Sequence, residues 1–149
     1  HSAGGLIARA TMVRYPELNI QRLTTIATPH RGASLARLAS MVSSSPIGMA
    51  AGMMGFDEFS DADDLFKDLR PIKKSRFLRW LNSQPHPPAA YISVIHTGDD
   101  IVKPRSQDMT PMLDPLLNGM SIAVPGGHGL NPLDGDILAA LLTRPQAEP

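Results

Sequence analysis

Three short apolar runs rich in β-branched residues lie far apart in this chain, with no tight hairpin turn between them. They are Leu23 to Ala27 (LTTIA), Tyr91 to His96 (YISVIH) and Met120 to Val124 (MSIAV). Turn residues close each one: Thr28-Pro29, Thr97-Gly98 and Pro125-Gly126-Gly127. Runs of this kind read as buried strands. Antiparallel neighbours can be joined by two residues, whereas parallel ones need a long crossover. The spacing therefore predicts a parallel sheet with helices in its connections, an α/β chain.

Helical spacing frames that sheet. Leu6, Ile7, Ala10 and Val13 predict a helix over Gly4 to Arg14, stopped by Pro16. A terminal helix is predicted over Asp134 to Leu142, followed by a frayed, Pro-containing tail. Ser34 to Pro88 is too long for a plain crossover. It holds a Met-rich piece (Pro46 to Gly55), an acidic piece (Asp57 to Asp64) and a basic, helix-like piece (Lys73 to Asn82). The expectation is one domain over 1–149 with a helical cap insertion at about 35–88.

Composition excludes several classes of function. Lys+Arg and Asp+Glu both number 14 in 149 residues, and no basic run suggests a nucleic-acid face. No stretch approaches the roughly 18 apolar residues of a membrane helix, so stable membrane insertion is not expected. The absence of cysteine excludes disulfides and thiolate chemistry without fixing the compartment.

Three residues combine into a chemical hypothesis. His1-Ser2-Ala3-Gly4-Gly5 runs straight into the first predicted helix. A nucleophile elbow needs a small residue two positions after its serine, and Gly4 meets that need. Ser2 would then stand at a helix N-terminus, where the dipole and the Ala3 N–H could stabilise an oxyanion. The same residues also suit an ordinary serine N-cap. His128, among glycines after the third strand, can reach back over Ser2 or can be a surface histidine. Asp99, after the second strand, can orient an imidazole or can be a turn aspartate, and Asp100 competes with it. In the order serine, aspartate, histidine the three follow an α/β-hydrolase triad.

At these residues the chain resembles the bacterial triacylglycerol lipases and related esterases of the α/β-hydrolase superfamily. His1-Ser2-Ala3-Gly4-Gly5-Leu6 resembles their Gly-His-Ser-x-Gly-Gly elbow, and Thr28-Pro29-His30-Arg31-Gly32 their Thr-Pro-His-x-Gly loop. Asp99-Asp100-Ile101-Val102-Lys103-Pro104 is similar to their acid loop, and Gly127-His128-Gly129-Leu130 to their histidine loop. The resemblance implies a partial α/β-hydrolase fold beginning at the elbow, its three strands being the sixth to eighth of the family. Strands one to five and one oxyanion donor would precede Ser2, in a missing N-terminal half of the same domain.

The resulting expectation is a serine carboxylic-ester hydrolase acting on hydrophobic acyl esters through an acyl-enzyme. Ser2, Asp99 and His128 are its catalytic residues and the Ala3 N–H its oxyanion donor. Met49, Met53 and Met54 could line an acyl-chain site or pack a cap on the sheet. No metal or organic cofactor is expected, and the partner is a small ester or lipid substrate. Rival readings are a thioesterase, a phospholipase or lipid deacylase, and a non-catalytic remnant that binds a partner. His30 reads as structural, with a ring nitrogen on nearby backbone. Asp61, Asp63 and Asp64 read as a solvated helix start rather than a cation site. Lys73, Lys74, Arg76 and Arg79 read as a solvated helix face.

Overall fold

The structure, a computed structural model, describes residues 1–34, 36 and 69–143. Strands β1 (Arg22–Ile26), β2 (Ala90–His96) and β3 (Asn118–Val124) form one sheet in that order. Both pairings are parallel, with Leu23 opposite Tyr91 and Ile26 opposite Val94, which in turn faces Ile122. The strands lie where the apolar runs predict them, their ends shifted by at most two residues. Helix α1 (Ala3–Arg14) precedes β1, α2 (Arg76–Ser83) and α3 (Pro104–Gln107) lie in the two crossovers, and α4 (Pro132–Thr143) follows β3. The cap expected at about 35–88 falls mostly outside the described residues, as do Met49, Met53, Met54 and Asp61 to Asp64.

Alternation along the strands sends Leu23 and Tyr91 to one side of the sheet and Ile26 and Val94 to the other. On the first side Met12 of α1 joins Leu23, Tyr91 and Met109. On the second, Ile137 and Leu138 of α4 pack against Ile26, Val94 and Val124. β1 and β2 are thus covered on both faces, as strands of a parallel sheet require. A third cluster, Leu6, Ala33, Leu69, Leu78, Leu81 and Val102, joins α1 and α2 to the loops that leave β1 and β2. Ser75 caps α2 by accepting the Leu78 N–H at 3.0 Å. Lys73, Lys74, Arg76 and Arg79 are exposed, as expected.

Two expectations are corrected. The run ending at Val124 is an edge strand whose side chains are mostly exposed, Met120 by 42%. Among the described residues no strand pairs with its outer side. On α1 the buried stripe is Gly5, Leu6, Arg9 and Met12, while Ile7 is 62% exposed. An arginine therefore takes a core position where apolar spacing put an isoleucine.

Arg9 is buried with neutral acceptors at its Nε and Nη1, while its Nη2 has no hydrogen-bond partner among the described residues. Its Nε donates to His86 Nε2 at 2.8 Å and its Nη1 to Asn82 Oδ1 at 2.7 Å, with His30 Nδ1 at 3.4 Å. Burial lowers its pKa to about 10. Because a guanidinium only donates, both facing imidazole nitrogens must accept. His30 then carries its proton on Nε2, toward Thr25 Oγ1 at 3.1 Å. His30 is structural, as expected, but its ring bonds side chains; backbone enters through its carbonyl, which takes the Asn82 amide at 2.9 Å.

Both histidines are held neutral. Burial, then Arg9, then His86 push His30 well below its ordinary value. Burial, then Arg9, bring His86 to about 4 against an opposing backbone hydrogen bond at Gln84. The unfolded chain takes up protons at both sites below about pH 6.5. The folded chain does not, so the stabilisation is complete above pH 6.5 and is lost as pH falls from there toward 4. Buried His30 gives a slope of up to about 1.4 kcal/mol per pH unit, and half-buried His86 gives less. Urea midpoints measured from pH 7 to 5 should therefore fall, and less steeply in His86→Gln, whose amide oxygen can still accept from Arg9. A flat profile would contradict the neutral cluster.

Candidate active site

Ser2 meets the end of β1 by donating its N–H to the Ile26 carbonyl at 3.0 Å. Its backbone sits at φ 49°, ψ −135°, a conformation L residues avoid. Such strain amounts to about 1–3 kcal/mol and persists only when the surroundings enforce it. Ser2 makes no side-chain cap on α1. Its Oγ instead lies 2.9 Å from His128 Nε2. The N-cap alternative is therefore not the one the chain adopts. Ala3 is the first residue of α1, so its N–H has no acceptor within the helix.

Within this chain a steric demand falls on the residue after Gly4. Gly4 is exposed, and a Cβ there would meet nothing within 4 Å outside its own helix. A Cβ on Gly5 would lie 2.2 Å from Thr28 Oγ1 and 2.8 Å from Thr28 Cγ2. The first turn of α1 packs directly on the residue after the β1 turn, and that contact requires glycine.

Asp99, 3% exposed, stands on the loop leaving β2. Its Oδ1 accepts the N–H groups of Ile101 and Val102, each at 2.9 Å. Its Oδ2 accepts Gln107 Nε2 at 3.1 Å and His128 Nδ1 at 2.8 Å. Four donors thus satisfy a buried carboxylate. Asp100, the competitor, is exposed and lines a separate cleft of about 670 Å³ with Arg31, Lys73, Lys103 and Arg105. Neither Ser2 nor His128 lines that cleft.

His128, 6% exposed, rides the loop after β3. Its Nδ1 faces a carboxylate and so carries the proton, leaving the Nε2 lone pair to accept the Ser2 hydroxyl. The strands deliver the two loops side by side: Thr97 N–H donates to Val124 O at 2.9 Å and Gly98 N–H to Gly126 O at 3.0 Å. Gly126, at φ 155°, makes the turn.

Ser2, His128 and Asp99 therefore form a continuous, largely buried hydrogen-bonded chain. Such an arrangement can move the hydroxyl proton to the imidazole as the oxygen attacks a carbonyl. Four participants escape a sequence reading. Gln107 grips Asp99 and also receives the His96 N–H at 2.7 Å. His1 donates from Nε2 to the His128 carbonyl at 2.7 Å. His96 and Asp134 pair at 2.8 Å behind the His128 loop. His96 ends an apolar strand and His1 stands in the elbow motif, whereas Gln107 and Asp134 carried no local signal of these bonds. Among the described residues no group of three or more His, Cys, Asp or Glu could hold a metal ion, and no helix is long and apolar enough to cross a membrane.

Neither a protein-family model nor a curated protein matches the sequence. Among solved structures, the chain is similar to acetyl xylan esterase 1 from Thermoanaerobacterium sp. JW/SL YS485. The TM-score is 0.52 and the identity 12%, over 93% of this chain and 42% of that one. The likeness is one of fold. With the parallel sheet and its flanking helices, it makes this a partial α/β-hydrolase-like fold spanning less than half of that chain.

The Thr28 contact gives a paired test. Gly5→Ala should lower stability by about 1–3 kcal/mol through overpacking. Gly4→Ala should leave it unchanged or raise it by up to about 1 kcal/mol through helix propensity. Urea unfolding of the two variants should separate them, and equal effects would contradict the contact.

Proposed function

We propose that this chain is the catalytic C-terminal portion of a serine carboxylic-ester hydrolase resembling the bacterial triacylglycerol lipases and related esterases. The supporting observation is the relay itself: Ser2 Oγ to His128 Nε2 at 2.9 Å and His128 Nδ1 to Asp99 Oδ2 at 2.8 Å. In this reading Ser2 Oγ attacks the ester carbonyl while its proton passes to His128 Nε2. The tetrahedral oxyanion is stabilised by the Ala3 N–H and the N-terminus of α1. His128 then returns the proton to the leaving alcohol oxygen. Water enters by the same route in reverse, regenerates Ser2 and releases the acid. Asp99 keeps the imidazole in the required tautomer and balances its transient charge. The route needs no cofactor.

The substrate class is a hydrophobic acyl ester. The name of the similar solved structure, an acetyl xylan esterase, supports the ester class. The proposal is for a unit that includes the strands and second oxyanion donor expected before Ser2. Without that donor, roughly 2.7–4 kcal/mol of transition-state stabilisation is forgone.

A fluorophosphonate probe should label the full-length protein and fail to label Ser2→Ala. Asp99→Asn, which presents the wrong tautomer, should lower kcat by about 10⁴-fold. A panel of esters and thioesters, from acetyl to long acyl chains, should show a preference for longer oxygen esters. A full-length protein that takes no label and turns over no member of the panel would be a binding remnant.

A further inference from the structure

Three consecutive carbonyls in the His128 loop each accept a bond from a different element. Gly98 N–H reaches Gly126 at 3.0 Å, His96 Nδ1 reaches Gly127 at 2.6 Å, and His1 Nε2 reaches His128 at 2.7 Å. The middle donor differs from the others in being a fully buried side chain that is titratable. Its other ring nitrogen lies 2.8 Å from Asp134 Oδ1, while Asp134 Oδ2 accepts the Asn131 N–H at 2.8 Å. A carbonyl can only accept, so Nδ1 carries a proton, and a second proton must lie between Nε2 and Oδ1. The geometry is that of an imidazolium pinned between a carboxylate and a peptide carbonyl.

We propose that His96 is a positioning residue for His128, holding the His128 loop as an imidazolium between Asp134 and the Gly127 carbonyl and loosening it on deprotonation. This rests on the reading of Ser2, His128 and Asp99 as a catalytic relay. The charged groups facing the ring are Asp134 from α4 and Asp99 from the loop after β2. Gln107 of α3 contacts its backbone, accepting the N–H at 2.7 Å and donating to the carbonyl at 3.3 Å. Burial works against the charged ring, but the bonds to Asp134 and Gly127 and the fields of Asp134 and Asp99 outweigh it and raise the pKa above its ordinary value.

A neutral imidazole keeps one N–H. The bond to the carboxylate is the stronger, so that proton stays on Nε2. The Nδ1 lone pair then faces the Gly127 oxygen, and an attraction at 2.6 Å becomes a repulsion. Gly127 and Gly129 have no side chains to hold the loop in place. His128 sits next to the released carbonyl and shifts with it, and a displacement of about 1 Å can cost roughly 10²-fold in rate. Because the folded pKa lies above the unfolded one, the clamp stabilises fully below about pH 6.5 and is lost as pH rises through the folded value.

The test follows the ring and the rate together. Nitrogen-15 NMR of the histidine-labelled protein should find both ring nitrogens of His96 protonated at pH 7, titrating above the free-histidine value. The alkaline limb of kcat should fall with the same midpoint. Asp134→Asn should move both midpoints to lower pH in parallel, with KM little changed. His96→Gln should lose that limb and lower kcat by roughly ten- to a hundredfold. A singly protonated His96 at pH 7 overturns the proposal. So does an alkaline limb that stays put in Asp134→Asn while the ring titration moves, and this holds even where His96→Gln does not fold. Absence of fluorophosphonate labelling overturns the catalytic reading separately, because NMR reads the ring whether or not the protein turns over substrate.

Discussion

The contact between His128 Nδ1 and Asp99 Oδ2, 2.8 Å long and buried on both sides, closes the site. A buried carboxylate is tolerated only when its lone pairs are satisfied, since desolvation otherwise exceeds what one partner returns. Asp99 meets that condition locally. Two of its donors are peptide N–H groups of its own loop, at Ile101 and Val102, and a third is Gln107, at the end of the short helix that follows. The loop is therefore shaped around the carboxylate before His128 arrives. His128 supplies the bond that ties this carboxylate to the neighbouring loop.

Parallel topology makes that bond possible. All three strands run the same way, so the loops that leave them emerge at one edge of the sheet. The register does more, because His96 pairs with Val124 and the two strands end level. Thr97 and Gly98 then lace onto Val124 and Gly126 without any intervening side chain. On the other side of β2, the turn at Ala27, with φ 49°, ends β1 while its N–H still bonds Val94. Ser2 adds itself to the far edge of the same strand end. The three functional groups come from positions 2, 99 and 128, yet each hangs on the same terminus of one short sheet.

The sequence was legible where a local pattern carries the physics. Apolar runs of strand length predicted the sheet because β-branched side chains suit a pleated surface, but they did not distinguish the buried β1 and β2 from the exposed edge strand β3. The triad candidates stood out because each borders a turn that a strand end requires. Arg9 did not stand out, because it is buried through acceptors on Asn82 and His86, and helical periodicity sees only Ile7 and its apolar neighbours. Gly4 and Gly5 could not be told apart without knowing that Thr28 lies against α1. Gln107 looks like any polar residue of a crossover until His96 and Asp99 are seen on either side of it. In each case the missing information is a contact between distant segments, which neither spacing nor composition encodes.

Two histidine–carboxylate pairs share this edge of the sheet and have nearly the same geometry. Asp99 meets His128 at 2.8 Å and Asp134 meets His96 at 2.8 Å. Carboxylate, imidazole and burial are common to both, so none of these decides what a pair does. The difference lies at the ring's other nitrogen. For His128 it faces a hydroxyl, which can donate, so the ring is complete as a neutral base with a lone pair to offer. For His96 it faces a peptide carbonyl, which can only accept, so the ring is complete only with a second proton. One pair is therefore poised to take a proton and the other to keep one. The same dyad becomes a base or a clamp according to a single neighbouring oxygen.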